Sequence, residues 1–100
     1  MTRNLDVRIQ GDSMWPTFTD GQVLTFQETD AQSTFAVGDV VLALHPLKED
    51  VLMVKRIHRI EADGRLFLTG DQPDPTSSED SHNFGPVALG NVRARWTGEV

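Results

Sequence analysis

The stretch VLMVKRIHRIEADGRLFLT, from Val51 to Thr69, decides the fold class that this chain is expected to adopt. Its first ten residues, Val51 to Ile60, are rich in Val, Ile and Leu and predict the longest strand of the molecule. The dipeptide Asp63-Gly64 follows, and such a pair favours a tight hairpin turn because both residues tolerate the backbone angles that the turn requires. The segment LFLT after it predicts a strand that pairs back on the first.

Shorter segments of the same kind lie on both sides of this hairpin. Leu5, Val7 and Ile9 alternate with polar residues, as in a half-buried strand. Three further strands are predicted by GQVLTF (21–26), VGDVVLAL (37–44) and VALGNVRARW (87–96). No segment has a convincing helical period. We therefore expect an all-β single domain over residues 1–100, built as a small coiled β-sheet or a partly open barrel.

Composition limits the classes of partner. The chain of 100 residues has a formal net charge of -6, which argues against a nucleic acid or an anionic membrane as the main partner. It contains no Cys, so disulfides, thiol catalysis and Cys-based zinc sites are excluded. No segment approaches the ~18 apolar residues of a membrane span, and the start MTRNLDVRIQ lacks the apolar stretch of a signal peptide. We expect a soluble, cytoplasmic protein with no transmembrane segment.

Lys55 is the first candidate catalytic residue. Period-two alternation places it on one face of its strand, where its nearest neighbours are Met53 and Ile57. Apolar surroundings disfavour a charged ammonium and lower the pKa of a lysine, which leaves an amine able to take a proton from a hydroxyl. Strand lysines also commonly extend to water or protect a sheet edge, so the strand by itself leaves both interpretations open. Arg56, on the opposite face, is expected to pair with an acidic residue.

The heptapeptide GDSMWPT (11–17) contains a serine hydroxyl that such an amine could deprotonate. Ser13 lies on a predicted turn, between Gly-Asp and Met-Trp-Pro. A serine on a turn usually bonds to its own backbone, which requires no function. The alternative is that Ser13 is a nucleophile and that a base elsewhere in the chain activates it. Trp15, beside it, is expected to be a core or rim aromatic residue, or to line a substrate groove.

The loop GDQPDPTSSEDSHNFGP (70–86) is the third unusual feature. It is longer than most connections in small domains, and long loops are commonly functional or disordered. The Phe84-Gly85-Pro86 segment at its end suggests that the loop is attached to the body of the domain, which favours a functional role.

Four blocks occur in order along the chain, namely GDSMWPT, VGDVV, VKRI and GDQ…SSEDSHNFGPV. Together they resemble the signal peptidase I family of serine proteases, which use a Ser–Lys dyad, and the resemblance extends from Gly11 to Val92. The small size and the ALHP segment (43–46) are most similar to a soluble branch that removes the propeptide of nickel-type superoxide dismutase. The resemblance implies the signal peptidase type of β-fold and no cofactor. It implies as partner a protein precursor with an N-terminal propeptide, with nickel superoxide dismutase as the first candidate.

The resemblance also implies roles for individual residues. Ser13 matches the nucleophile of the Ser-Met-x-Pro motif, and Lys55 matches the general base of the Lys-Arg block. Ser78 corresponds to a hydroxyl that orients the lysine amine, and Asp80 corresponds to an aspartate that supports the site. In the implied reaction, neutral Lys55 takes the proton of Ser13, whose Oγ attacks a peptide carbonyl and forms an acyl-enzyme.

Two supporting positions flank the nucleophile, and three positions depart from the family pattern. Met14 belongs to the Ser-Met-x-Pro motif, whereas Gly11 stands where some members carry a serine that donates to the oxyanion. Gln72 replaces a frequent Asn, and His82 replaces a frequent Arg, so the ion pairing around Asp80 is expected to be weaker or sensitive to pH. The oxyanion would then depend on the backbone N–H of Ser13 and on a second donor.

Three alternatives remain at this stage. The first is a repressor-type self-cleaving Ser–Lys peptidase, which shares the Ser-Met-x-Pro motif and a lysine strand but accompanies DNA-binding segments that this acidic chain lacks. The second is a catalytically inactive module that binds a peptide as an added strand. The third, a Ser–His–Asp triad recruiting His58 or His82, is disfavoured because no Gly-x-Ser-x-Gly motif is present. A metal site is also not expected, because His45, His58 and His82 are scattered along the chain.

Overall fold

The structure is a computed structural model that describes residues 3–74 and 79–98. The described residues form one open sheet of six antiparallel strands in the order β1-β2-β6-β3-β4-β5. The strands are β1 (Asn4–Arg8), β2 (Val23–Glu28), β3 (Val40–Leu44), β4 (Leu52–Ile60), β5 (Leu66–Thr69) and β6 (Val92–Trp96). The all-β prediction is therefore confirmed. The hairpin predicted at Asp63-Gly64 joins β4 to β5, and its tight turn places Gly64 at φ +90°.

Two strands begin at least three residues later than the hydrophobic pattern predicts, because turns interrupt the pattern. β3 begins at Val40, since Gly38 takes φ +97° and the N–H of Asp39 donates to the carbonyl of Ala36 at 3.1 Å. The last strand begins at Val92. The residue that opened the predicted segment, Val87, makes an isolated bridge to Leu66, and a 3-10 turn (Leu89–Asn91) follows it.

The long loop contains a short helix that the sequence analysis missed. α1 (Ser81–Phe84) is capped at its N-terminus by Asp80, whose carboxylate accepts the N–H of His82 at 2.9 Å. The Asn83 side chain accepts the N–H of Asp80 at 3.0 Å and completes a capping box. The buried hydroxyl of Ser81 accepts the N–H of Leu68 at 2.9 Å, and this bond fastens α1 to β5. One helical turn is too short to produce a periodic pattern.

The central strand β3 supplies side chains to two separate cores. Val40 and Leu42 pack into one core, and Val41 and Ala43 pack into the other, as period-two alternation requires of a strand covered on both faces. The first core is completed by Ile9, Met14, Phe18, Leu24, Phe26 and Ala94, and the second by Ile57, Leu66, Leu68, Val87 and Val92.

The sheet coils enough to bring β1 close to β4. These strands occupy the first and fifth places in the sheet order, yet both line one cavity of about 540 Å³. The coiling that the sequence predicted therefore creates a concave site between two strands that do not pair with each other. No helix among the described residues has the length and apolar character needed to cross a membrane.

Candidate active site

The turn that carries Ser13 is anchored on both sides. The N–H of Trp15 donates to the carbonyl of Asp12 at 3.0 Å and closes a turn with Ser13 at its second position. Met14 points into the first core and is 1% exposed, so the turn cannot lift away from the sheet without exposing an apolar side chain. Gly11 begins the turn with φ +80°, a conformation that favours glycine. Ser13 itself is half-buried.

Lys55 lies in the middle of β4, opposite Val41 on β3, and is only 4% exposed. Met53 and Ile57, its neighbours on the same face, belong to or pack against the second core, as the period-two pattern predicts. Burial lowers the pKa of Lys55, and the negative charges of Asp80 and Glu79 only partly offset this effect. Within the described part of the chain, no carboxylate lies within 4.0 Å of its ammonium nitrogen. The interpretation that Lys55 extends into water is therefore wrong.

Ser13 and Lys55 both line the 540 Å³ cavity between β1 and β4. Most of its other lining residues are apolar, and two charged side chains, Asp6 and Arg8, come from β1. The remaining lining residues are Leu5, Val7, Ile9, Gln10, Met14, Leu42, Leu52, Met53 and Val54. Ser13 and the buried Lys55 thus belong to the lining of one concave surface, although they come from distant parts of the sequence.

Asp71 ties the Ser13 turn to the lysine strand. Its carboxylate receives two hydrogen bonds from Arg56 on β4, from Nε at 2.9 Å and from Nη2 at 2.7 Å. It also accepts the hydroxyl of Thr17, at the end of the Ser13 heptapeptide, at 2.6 Å. The pairing of Arg56 with an acidic residue is as the sequence predicted, and the acidic partner turns out to be the aspartate that follows β5. One carboxylate therefore sets the separation of two segments that carry the candidate residues.

The charge of Asp71 is maintained by these donors. Burial would raise the pKa of Asp71, but the hydrogen bonds from Arg56 and Thr17 outweigh burial and hold the pKa below its ordinary value. Gln72, the next residue, adds a second attachment, since its backbone N–H donates to the carbonyl of Ser13 at 2.9 Å. Its side-chain amide also donates to the carbonyl of Asp12 at 3.3 Å.

The resemblance also singled out two residues of the long loop. Asp80 caps α1 and lies close enough to Lys55 for its charge to raise the pKa of the amine, so it is connected to the site electrostatically as well as structurally. The His82 ring nitrogen Nδ1 lies 3.0 Å from the carboxylate of Asp80. Ser78 lies outside the described residues.

The three histidines lie away from the candidate nucleophile. None of them lines the cavity that contains Ser13. His58 and His82 contact Phe67, with ring centroids 6.2 and 5.0 Å apart respectively, and His45 follows β3 and pairs with Glu79. A triad built on His58 or His82 therefore has no support in the geometry. Among the described residues, no group of three His, Asp or Glu side chains could hold a metal ion.

Two pairings at the site were not anticipated from the sequence. The sequence left open which acidic residue would pair with Arg56, and it gave no reason to join His45 to Glu79. Both pairs link segments that lie far apart in the chain, so no local pattern could identify them. The Gly-Asp that opens the long loop was a partial signal for the first pair, whereas nothing in the sequence indicated the second.

Comparison with known families agrees with this geometry. A sequence model of the Peptidase S24-like family matches residues 5–83, which include both candidate residues. The chain belongs to the Peptidase S24-like family. Its members are serine peptidases of the Ser–Lys type, a superfamily that includes repressor-type self-cleaving domains and signal peptidase I. No curated protein matches the chain. The closer resemblance to signal peptidase I stays a prediction.

Proposed function

We propose that this Peptidase S24-like protein is a serine endopeptidase in which Ser13 is the nucleophile and Lys55 is the general base. The observation that carries the proposal is the shared cavity, which is lined by Ser13 and by a lysine that burial pushes toward its neutral form. A neutral amine is required because an ammonium cannot accept the serine proton. The rate is therefore expected to rise with pH through the pKa of Lys55, at a lower pH than an ordinary lysine would require.

The proposed reaction moves one proton in each half. Lys55 takes the hydroxyl proton while Oγ of Ser13 bonds to the scissile carbonyl carbon, which gives a tetrahedral oxyanion. The oxyanion collapses, the C–N bond breaks, and the Lys55 ammonium gives its proton to the leaving amine. In the second half the neutral amine takes a proton from water, and the resulting hydroxide attacks the acyl-enzyme. When that intermediate collapses, the ammonium returns the proton to Ser13 Oγ.

The oxyanion needs preorganised donors near Ser13. Gly11 contributes no side chain, and its N–H already donates to the carboxylate of Asp20 at 2.8 Å. We therefore assign the first donor to the backbone N–H of Ser13. Met14 and Gly11 support this assignment indirectly, because they fix the turn whose peptide plane sets the direction of that N–H.

The substrate is proposed to bind as an extended strand between β1 and β4, because both strands have an open edge at the cavity. Among the described residues, the first half of β4 pairs with β3 but not with β5, whose pairing begins at Arg56. β1 pairs with β2 and has no second partner among these residues. Open edges recruit extended peptides, and backbone hydrogen bonds then provide affinity that is independent of sequence.

Hydrogen-bond parity identifies the backbone groups that face the substrate. The backbone N–H of His45 donates to the carbonyl of Val51 across the β3–β4 pair. Because every second residue of β4 bonds to β3, the N–H and C=O groups of Leu52 and Val54 point toward the open edge. On β1, Ile9 donates to Gln22 on the β2 side, which leaves Asp6 and Arg8 with outward-facing backbone groups. These four residues line the cavity together with Ser13 and Lys55.

The substrate is proposed to be a protein precursor from which an N-terminal propeptide is removed. The protein resembles the soluble signal peptidase branch, which makes the precursor of a nickel-type superoxide dismutase the first candidate substrate. Ser78 is proposed to orient the Lys55 amine, and Asp80 is proposed to support the segment that carries Ser78.

Self-cleavage is the second candidate function, and the family match favours it. The Peptidase S24-like family belongs with Ser–Lys peptidases that include self-cleaving as well as processing members. The same open edges between β1 and β4 could receive such a segment, so the geometry of the cavity suits either substrate.

One experiment separates these functions. The protein is incubated alone and with the candidate precursor, and new amino termini are sequenced, for the native chain, Ser13→Ala and Lys55→Met. Cleavage of the precursor that both variants abolish supports processing in trans, whereas a single internal cut in the protein alone supports self-cleavage. If the variants cleave as the native chain does, the assigned dyad is wrong. The absence of any Ser13 adduct with a reactive phosphonate from pH 6 to 10 would indicate a peptide-binding module instead.

A further inference from the structure

Two oppositely charged side chains of β1 have no role in the proposed reaction. Asp6 and Arg8 are exposed, and both residues line the cavity that contains Ser13 and Lys55. Within the described part of the chain, neither side chain belongs to an ion pair, and neither takes part in a side-chain hydrogen bond. Both charges are therefore available to a molecule that enters the cavity.

The alternation of β1 places these two charged side chains on one face of the sheet. Leu5 and Val7 pack against the first core, so Asp6 and Arg8 lie on the opposite face. Two residues along a strand correspond to roughly 6.5–7 Å, which is also the spacing of alternate side chains on a strand that pairs with it. The two charges can therefore act on two successive side chains on one face of a bound strand.

The paired side of β1 offers no charge to either residue. Across the β1–β2 pair, Asp6 lies opposite Thr25 and Arg8 lies opposite Val23. The other side of β1 is the open edge, toward which the backbone groups of Asp6 and Arg8 point. A strand bound at that edge places one residue opposite Asp6 and one opposite Arg8, and opposite residues on the same face interact directly.

The amine of the candidate dyad lies on the same face of the sheet as these charges. On β4, Val54 packs against the first core and Met53 packs against the second, so alternation places Lys55 with Met53 on the face opposite the first core. A strand between β1 and β4 therefore directs alternate side chains toward Asp6 and Arg8 on one side and toward Lys55 on the other.

The direction of β1 sets the order of the two charges relative to the dyad. β1 runs toward the Ser13 turn, and Arg8 precedes Ser13 by five residues whereas Asp6 precedes it by seven. Four antiparallel steps separate β1 from β4 in the sheet order, so β4 runs in the same direction. The substrate residue beside Arg8 is therefore nearer to the scissile bond than the residue beside Asp6.

We propose that Asp6 and Arg8 determine specificity: they select a substrate strand that carries an acidic side chain beside Arg8 and a basic side chain two residues farther from the scissile bond, beside Asp6. Opposite charges across a strand pair attract each other, and like charges repel. The inference rests on the proposed function, since it requires the substrate to bind as a strand between β1 and β4. The substrate class is a peptide segment with an acid–base pair at a spacing of two residues.

Cleavage profiling tests this selection without a known substrate. A library of proteome-derived peptides is incubated with the native chain and with a charge-reversed variant, Asp6→Lys with Arg8→Glu, which keeps the net charge. Mass spectrometry identifies the cleavage sites, and Ser13→Ala gives the background. We expect sites of the native chain to be enriched about five-fold in the acid–base pair, with the acidic residue nearer to the scissile bond. The reversed variant should prefer the exchanged order.

A matched control reverses another exposed pair at the same spacing. Arg59 and Glu61 form an ion pair at 3.2 Å and do not line the cavity. Arg59→Glu with Glu61→Arg also keeps the net charge and should give the native profile. Thermal melts establish that each variant is folded. Raising the NaCl concentration from about 50 to about 500 mM should weaken the preference of the native chain, because salt screens exposed charges.

A binding measurement separates failure of the inference from failure of the proposed function. The same library is passed over immobilised Ser13→Ala, with and without the charge reversal, and the retained peptides are sequenced. An exchanged order among the retained peptides, with no cleavage by the native chain, would support the inference and reject the peptidase. Cleavage with the same profile for the native and reversed chains would overturn the inference and leave Ser13 and Lys55 standing. If no peptide is either cleaved or retained, the cavity takes up no strand and both are wrong.

Discussion

Lys55 is both ionisable and buried, and these two properties oppose each other in a folded protein. It is 4% exposed and lies between apolar neighbours, so the folded state must either bury a charge or release a proton. Glu79 and Asp80 reduce this cost without removing it, since the pKa of the amine remains below its ordinary 10.5. A buried ionisable residue that costs stability and forms no ion pair within 4.0 Å among the described residues is typical of a functional site.

We predict that Lys55→Met abolishes peptidase activity and stabilises the fold. Met is similar in length and suits the apolar neighbours, so the melting temperature at pH 7 should rise by about 2–5 °C. Because the pKa of Lys55 is lowered on folding, the native chain gains stability as pH rises from the folded pKa toward 10.5 and loses it as pH falls. In chemical denaturation, the free energy of unfolding of the variant should therefore exceed that of the native chain most at low pH and least at high pH. A variant less stable than the native chain at pH 7 would contradict this account.

At the scale of elements, the site depends on how the Ser13 turn is attached to β4. Asp71 provides that attachment through Arg56 and Thr17, and Gln72 extends it to the carbonyl of Ser13. Neither the Ser13 turn nor β4 determines the position of the other through its own sequence. The separation between the candidate nucleophile and the candidate base therefore depends on this network rather than on either segment alone.

Asp71→Asn is predicted to weaken both the fold and the reaction. An amide keeps the size of the carboxylate but cannot match the two guanidinium donors, which should cost about 1–3 kcal/mol of unfolding free energy. Since the pKa of Asp71 is lowered on folding, its contribution is present above the ordinary value of 3.8 and is lost as pH falls through the folded pKa. Urea denaturation from pH 7 to pH 3 should show that the free energy of unfolding falls less with acid in the variant than in the native chain. Asp63→Asn, which breaks an exposed pair within the β4–β5 hairpin, should change neither stability nor kcat/KM.

The turn itself is predicted to require glycine at position 11 for backbone reasons alone. A Cβ on Gly11 would meet no atom within 4 Å, but φ +80° is unfavourable for alanine, so Gly11→Ala should cost about 1 kcal/mol. Gly90 also has open space and lacks the positive φ, so Gly90→Ala is the matched control. Equal melting temperatures for the two alanine variants would show that the backbone of the turn relaxes freely.

At the scale of the whole molecule, the coiling of the sheet creates the cavity. Asp6 and Arg8 of β1 and Leu52 and Val54 of β4 line one cavity of about 540 Å³, whose lining also includes the candidate dyad. A substrate that pairs with these edges must bond through alternate residues, because each edge strand presents only every second residue.

We therefore predict a period of two in the effect of N-methylation along a peptide substrate. Methyl groups on amides that face Leu52 and Val54, or Asp6 and Arg8 across the cavity, should lower kcat/KM by ten-fold or more, while methyl groups on the intervening amides should have smaller effects. Steady-state kinetics on a methyl scan measures this directly. A flat profile would mean that the substrate does not bind as a strand.

Much of this architecture could be predicted from the sequence, because strands and turns are local. Alternation at Leu5, Val7 and Ile9 and the Asp63-Gly64 dipeptide encode a strand and a hairpin within a few residues. The helix at Ser81–Phe84 was missed because a single capped turn has no period, and β3 was extended too far because Val37 is apolar although a turn follows it. The candidate pair, Ser13 and Lys55, was selected by motif order, but their common cavity was not predictable from that order.

The sequence by itself determined that the chain forms antiparallel strands, that one of them places a lysine on an apolar face, and that a serine stands on a glycine-initiated turn. Each of these properties depends on residues within a few positions of one another. Only the tertiary structure decided that β1 and β4 line one cavity, that Asp71 joins Arg56 to Thr17, and that His45 pairs with Glu79. The physical reason is that hydrogen bonds and electrostatic fields act over distances in space, which the coiling of the whole sheet sets, and not over separations along the chain.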